Sequence, residues 1–100
     1  MTNPTTPIRH IVLITLKPGM SDADKREVFF QLRKLGQQTP GLLDWRIEES
    51  LDTRKGHMLI ENGLFENQAA FERFRTSDIH RSTGEFLKDR ADWVVADYLE

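Results

Sequence analysis

The run IRHIVLITL, over residues 8–16, predicts the β-strand that decides the fold of this 100-residue chain. β-Branched residues dominate the run, and the sequence KPG at 17–19 ends it. Successive strand residues point to opposite faces, and both faces are apolar here except for His10 on one and Arg9 and Thr15 on the other. A strand that is apolar on both faces must be covered on both sides.

Helices and further strands are predicted on the C-terminal side of this strand. They are a helix from Ser21 to Gly36, a strand over 42–51, a strand over 57–65, a helix that begins at residue 66 or 67, breaks at 77–78 and resumes over 79–88, and a last strand over 93–99. Asn62-Gly63 predicts a bulge or kink in the third strand. The order β-α-β-β-α-β is that of a ferredoxin-like α+β domain.

Helices in this arrangement cover one face of the sheet and leave the other open. The apolar residues predicted for the open face are Ile11, Leu13, Met58, Ile60 and Leu64. A soluble monomer rarely exposes so large an apolar patch. Because symmetric dimers are the commonest oligomers, we expect a homodimer that packs sheet against sheet.

Composition excludes several classes of protein. The formal charge is −2 without a basic cluster, which argues against nucleic-acid binding, and the lack of cysteine excludes disulfides and thiolate sites. No apolar run approaches the ~20 residues that span a bilayer, so no membrane partner is expected. We expect residues 1–7 to form a disordered lead, and they lack the apolar centre of a signal peptide. We expect residues 8–100 to form a single domain, and the protein to be cytoplasmic.

The sequence resembles the stress-responsive α/β-barrel domain family, also called dimeric A/B barrel proteins, over nearly all of the chain from Ile8 to Tyr98. The segments that carry the resemblance are IRHIVL at 8–13, KPG at 17–19, TPGL at 39–42, FE at 65–66, His80, and VADY at 95–98. The resemblance implies a dimer in which two four-stranded sheets pack into a barrel.

One plant branch of that family closes linear polyketides without metal or cofactor. Its pocket between helices and sheet contains a first-strand histidine and a Tyr-His pair on and after the second helix. The resemblance implies that His10 and His80 correspond to the two histidines. Phe74 occupies the tyrosine's position, so the hydroxyl of that pair is absent here.

Three side chains are candidates for catalysis. His10 is either a structural histidine or a polar contact inside an apolar pocket. His80 is either an exposed helix residue or an acid/base group that faces a cleft. Glu61 would face the pocket beside a histidine if the strand alternates strictly, but the bulge at Asn62-Gly63 would turn it to solvent, which is the interpretation we favour. We expect His57 to be exposed. We expect no metal site, because no histidine has a second ligand at a suitable spacing, and we also expect no cofactor.

The remaining predictions concern the ligand and the function. Candidate lining residues are Phe29, Leu32, Leu59, Phe71, Phe74 and Trp93. The first hypothesis is a homodimer that binds or transforms a small apolar carbonyl-bearing molecule, with His80 as acid/base and His10, with Glu61, orienting it. The alternatives are a non-catalytic stress or accessory dimer with a filled core, and a cofactor-free monooxygenase of the antibiotic-biosynthesis type.

Overall fold

The computed structural model describes residues 5–100. The disordered lead expected for residues 1–7 falls mostly outside them. The elements are β1 Ile8–Leu16, α1 Asp22–Gln37, β2 Leu42–Glu49, β3 Met58–Phe65, α2 Gln68–Arg75, α3 Asp78–Leu87 and β4 Ala91–Leu99. No helix formed by the described residues is long and apolar enough to cross a membrane.

The four strands form one antiparallel sheet in the order β2-β3-β1-β4, the ferredoxin-like topology that the sequence predicts. β1 lies between β3 and β4, and all three helices follow a serine or asparagine cap. Ser77 caps α3 by accepting a hydrogen bond from the backbone N–H of His80, which fixes that histidine in the first turn.

The core lies between the helices and one face of the sheet. β1 buries the residues at its even-numbered positions against the helices, and β3 buries those at its odd-numbered positions. The buried apolar residues form two clusters. One contains Val12, Ile14, Leu16, Val28, Leu32, Ile47, Leu59, Leu87 and Ala91, and the other contains Ile8, Leu35, Phe65, Ala70, Phe71 and Phe74.

β3 runs through Asn62-Gly63 without a break, so the predicted bulge is wrong at this place. Its register against β1 is continuous from Met58 to Phe65. Gly63 is needed for space, because a Cβ there would lie 2.8 Å from the ring of Trp45. The irregularity is in β2 instead, between Leu42 and Asp44, and it leaves Leu43 exposed.

The other face of the sheet carries apolar side chains that no helix covers. Ile11, Met58, Ile60 and Leu64 are half-buried by their neighbours, and Leu13 is 40% exposed. On β4, Val94 pairs with Leu13 and is 68% exposed. This is the open apolar face that the sequence predicts.

Candidate functional site

His10 is buried on the central strand between two carboxylates. Its Nδ1 lies 2.6 Å from Oδ1 of Asp97, and its Nε2 lies 3.0 Å from Oε2 of Glu61. Asp97 is the cross-strand partner of His10 on β4, and Glu61 comes from β3, where it pairs with Val12. The sheet register therefore places one acceptor at each ring nitrogen.

Burial and hydrogen bonding act in opposite directions on His10. Burial alone lowers the pKa of the imidazole, but the hydrogen bonds and charges of Glu61 and Asp97 together outweigh it and raise the pKa above 6.5. The imidazolium form donates from both nitrogens at once, which fits this geometry. The His10 ring has no nitrogen left for a ligand.

Three phenylalanines surround the His10 ring. The ring centroids of Phe71, Phe74 and Phe65 lie 5.4, 5.5 and 6.2 Å from that of His10. These apolar rings pack around the imidazole, and the two carboxylates are its polar contacts in this part of the structure. A low local dielectric strengthens the buried contact with Glu61, whereas the Asp97 side chain is 33% exposed.

His80 lies in the first turn of α3, where its ring and that of Phe74 form a T-shaped contact at a centroid distance of 4.6 Å. Among residues 5–100, neither ring nitrogen of His80 has a hydrogen-bond partner. Burial lowers the pKa of His80 below 6.5; the charge of Glu61 partly opposes this, and those of His10 and Arg75 add to it. A neutral imidazole at pH 7 can accept a proton.

A cavity of about 90 Å³ brings these groups together between α3, β1 and β4. Its lining consists of His10, Val12, Ile14, Leu35, Glu61, His80, Thr83, Gly84, Leu87, Trp93 and Val95. Trp93 and Val95, the two lining residues from β4, are 41% and 49% exposed, so they form the solvent side of the pocket. The site is a small, largely apolar pocket whose lining includes two histidines, His10 and His80, and the carboxylate of Glu61.

The structure brings together His10, His80, Glu61 and Trp93 among the predicted site residues. Glu61 is only 4% exposed, so the interpretation that turned it to solvent is wrong, since β3 keeps its alternation through Gly63.

The other predicted lining residues do not line this pocket. Leu32 and Leu59 belong to the packed core, and Phe29 packs on that core beneath the guanidinium of Arg33. Phe71 and Phe74 belong to the second core cluster; both rings contact His10, and that of Phe74 also contacts His80.

Sequence reasoning missed Asp97 as a site residue. A signal was available, because strand alternation puts Asp97 on the same face of β4 as Trp93 and Val95, and a lone carboxylate on that face needs a partner. The antiparallel pairing that sets it opposite His10 was not readable from the sequence.

The third histidine lies apart from this site. His57 is 30% exposed, and its Nε2 lies 2.5 Å from Oε1 of Glu49. Within the described part of the chain, no group of three or more histidine, aspartate or glutamate side chains is arranged to hold a metal ion.

The sequence was compared with models of known families and with curated proteins. The model of the stress responsive A/B barrel domain matches residues 8–100. No curated protein sequence matches the chain.

Three solved structures have the same fold. Hydroxynitrile lyase from Passiflora edulis is 20% identical, with a TM-score of 0.83 over 97% of this chain and 95% of its own. A dimeric ferredoxin-like protein of unknown function from Thermobifida fusca is 18% identical, with a TM-score of 0.82 over 95% and 92%. A Dabb family protein with a ferredoxin-like fold from Mesorhizobium loti is 18% identical, with a TM-score of 0.83 over 95% and 97%.

The raised pKa of His10 predicts how stability changes with pH. A group whose pKa is higher in the folded state stabilises fully below its unfolded pKa of about 6.5, and this contribution is lost as pH rises through the folded value. The free energy of unfolding should therefore fall above pH 6.5, by about 1.4 kcal/mol for each unit of pKa difference. Urea denaturation between pH 6 and 9 measures it.

Asp97→Asn should flatten this pH dependence, since it removes one of the two carboxylates that raise the pKa. Asp89→Asn, at an exposed position in the turn before β4, is the matched control and should leave the slope unchanged. If the free energy of unfolding fell equally steeply with pH in the wild type and in Asp97→Asn, Asp97 would not be a cause of the raised pKa of His10.

Proposed function

The chain belongs to the stress responsive A/B barrel domain family, and we propose that it binds a small carbonyl-bearing molecule with apolar substituents in the pocket between α3 and β4. His80 exchanges a proton with that molecule. The observation that carries this proposal is a half-buried imidazole with no hydrogen-bond partner among the described residues, in the same cavity as a buried carboxylate.

The lowered pKa of His80 suits the role of a general base. In the neutral form, one ring nitrogen takes a proton from the carbon next to the carbonyl group. The electron pair of the broken C–H bond forms the enolate, and the imidazolium returns the proton when the carbonyl is restored. Glu61 favours the imidazolium, because its charge raises the pKa of His80.

His10 is a positioning residue in this proposal. Both of its ring nitrogens are bonded to carboxylates, so it holds Glu61 in place and has no nitrogen free to bond the ligand. This differs from the expectation that His10 itself orients or polarises the substrate. The apolar part of the lining, which includes Val12, Ile14 and Leu87, supports a ligand with hydrocarbon substituents.

Proton exchange on butan-2-one tests this proposal. In deuterium oxide, the wild-type protein should accelerate exchange of the protons next to the carbonyl, as followed by proton NMR. His80→Gln should reduce the acceleration by about 100-fold or more, because it removes the base. The acceleration should also decline as pH falls through the lowered pKa of His80, where the base becomes protonated.

The matched control is His57→Gln, which changes a histidine outside the pocket and should exchange butan-2-one at the wild-type rate. Equal rates in wild type and His80→Gln would contradict the assignment of His80. Exchange no faster than in buffer alone would contradict proton transfer by this pocket.

The size of the cavity favours a second candidate, a non-catalytic accessory dimer. Ligand pockets usually measure about 300–1,000 Å³, and this one measures about 90 Å³. A protein of this kind would neither bind butan-2-one nor accelerate exchange of its protons.

Monooxygenase activity, the absence of a cofactor and a cytoplasmic location stay predictions.

We further propose that a second copy of the chain covers the open face of the sheet. The uncovered apolar side chains of β1, β3 and β4 form one continuous surface around Leu13 and Val94. The relative from Thermobifida fusca is described as dimeric. Sheet-to-sheet packing would bury these side chains as in other two-layer β structures.

Leu13→Glu should convert the dimer into a monomer, because it places a charge at the centre of the proposed interface. Leu51→Glu is the matched control, since Leu51 is fully exposed in the loop between β2 and β3 and should leave the dimer intact. Sedimentation equilibrium of each variant measures the mass against 11.7 kDa for one chain. A monomeric wild type at micromolar concentration would contradict this proposal.

A further inference from the structure

Gly84 occupies a position in α3 that packing does not explain. A glycine inside a helix costs about 0.5–1 kcal/mol relative to alanine. The other helical glycine, Gly36, is required, because a Cβ there would lie 2.2 Å from the ring of Trp45. At Gly84 a Cβ would meet no atom within 4 Å, so the local packing would accept alanine.

Gly84 is part of the wall of the pocket. Gly84 lines the cavity together with His80, Thr83 and Leu87, which share one face of α3 at helical spacing. Side chains in a helix lean toward its N-terminus, over the preceding turn. Any side chain at position 84 would therefore lean toward His80, which lies four residues earlier.

We propose that Gly84 is a specificity-determining residue that keeps His80 open to the ligand. The apolar part of the ligand occupies the space that a side chain at 84 would fill, between α3 and Trp93 on β4. This inference rests on the proposed function and adds where the substrate's hydrocarbon part lies. The substrate class is ketones or aldehydes whose substituents are limited by the width between α3 and β4.

Substitutions at position 84 test this inference with two ketones of different size, butan-2-one and 4-methylpentan-2-one. Binding is measured by NMR, from the shifts of the Trp93 indole N–H and the His80 ring. Gly84→Ala should weaken binding of the larger ketone by about tenfold or more, and that of butan-2-one less. Gly84→Leu should abolish binding of both, since leucine is a good helix former that fills the space.

Thermal unfolding supplies the second measurement. Gly84→Ala should raise the midpoint, because alanine favours the helix and meets no atom there. Ser82→Ala, at an exposed position of α3, is the control and should bind both ketones as the wild type does.

The outcomes separate this inference from the proposed function. Ketone binding in the wild type that is unchanged by Gly84→Leu would overturn the role of Gly84 alone. A lower unfolding midpoint for Gly84→Ala would also overturn it, because the glycine would then be needed for packing. Binding of neither ketone by the wild type would overturn the proposed function as well.

Discussion

The hydrogen bonds of buried His10 to Asp97 and Glu61 connect the three strands on which the pocket depends. Moving a charged imidazole out of water is costly unless its nitrogens find partners, and here each nitrogen has a carboxylate. Removing one partner of a fully buried ion pair generally costs about 3–5 kcal/mol, and the cost is lower at Asp97, whose side chain is 33% exposed. His10 with its two carboxylates therefore disfavours any register in which β3 or β4 is shifted by one residue. Such a shift would turn Glu61 or Asp97 to the other face of the sheet and leave a ring nitrogen of His10 without its partner.

Of the strands that His10 connects, β4 depends most on this hydrogen bonding. Ala91 is the only buried residue of this edge strand, so core packing holds it weakly. Its attachment to β1 consists of the backbone ladder, the His10–Asp97 contact, and the ion pair at 2.7 Å between Arg9 and Glu100 just beyond the strand. Because β4 supplies the solvent side of the pocket, the shape of the pocket depends on one of the two contacts that raise the pKa of His10.

Much of the fold could be predicted from the sequence, because strand alternation and helix capping are local signals. The chemistry of the site depends on pairings between distant segments. Asn62-Gly63 is typical of a turn, but here Gly63 accommodates the ring of Trp45, so β3 continues and Glu61 stays buried. Asp97 had no visible role until β4 was placed beside β1. Aromatic and aliphatic residues such as Leu32 could fill either a core or a pocket, and periodicity does not separate the two.

The protonation of His10 is the most direct test of this account. Nitrogen-15 NMR of the imidazole at pH 7 distinguishes a ring with two protonated nitrogens from either neutral tautomer, and His10→Gln assigns the signals. The account predicts that both nitrogens of His10 carry protons at pH 7, while His80 in the same sample is neutral. A neutral His10 with one bare nitrogen would contradict it, since the imidazole could then donate to only one of its two carboxylates.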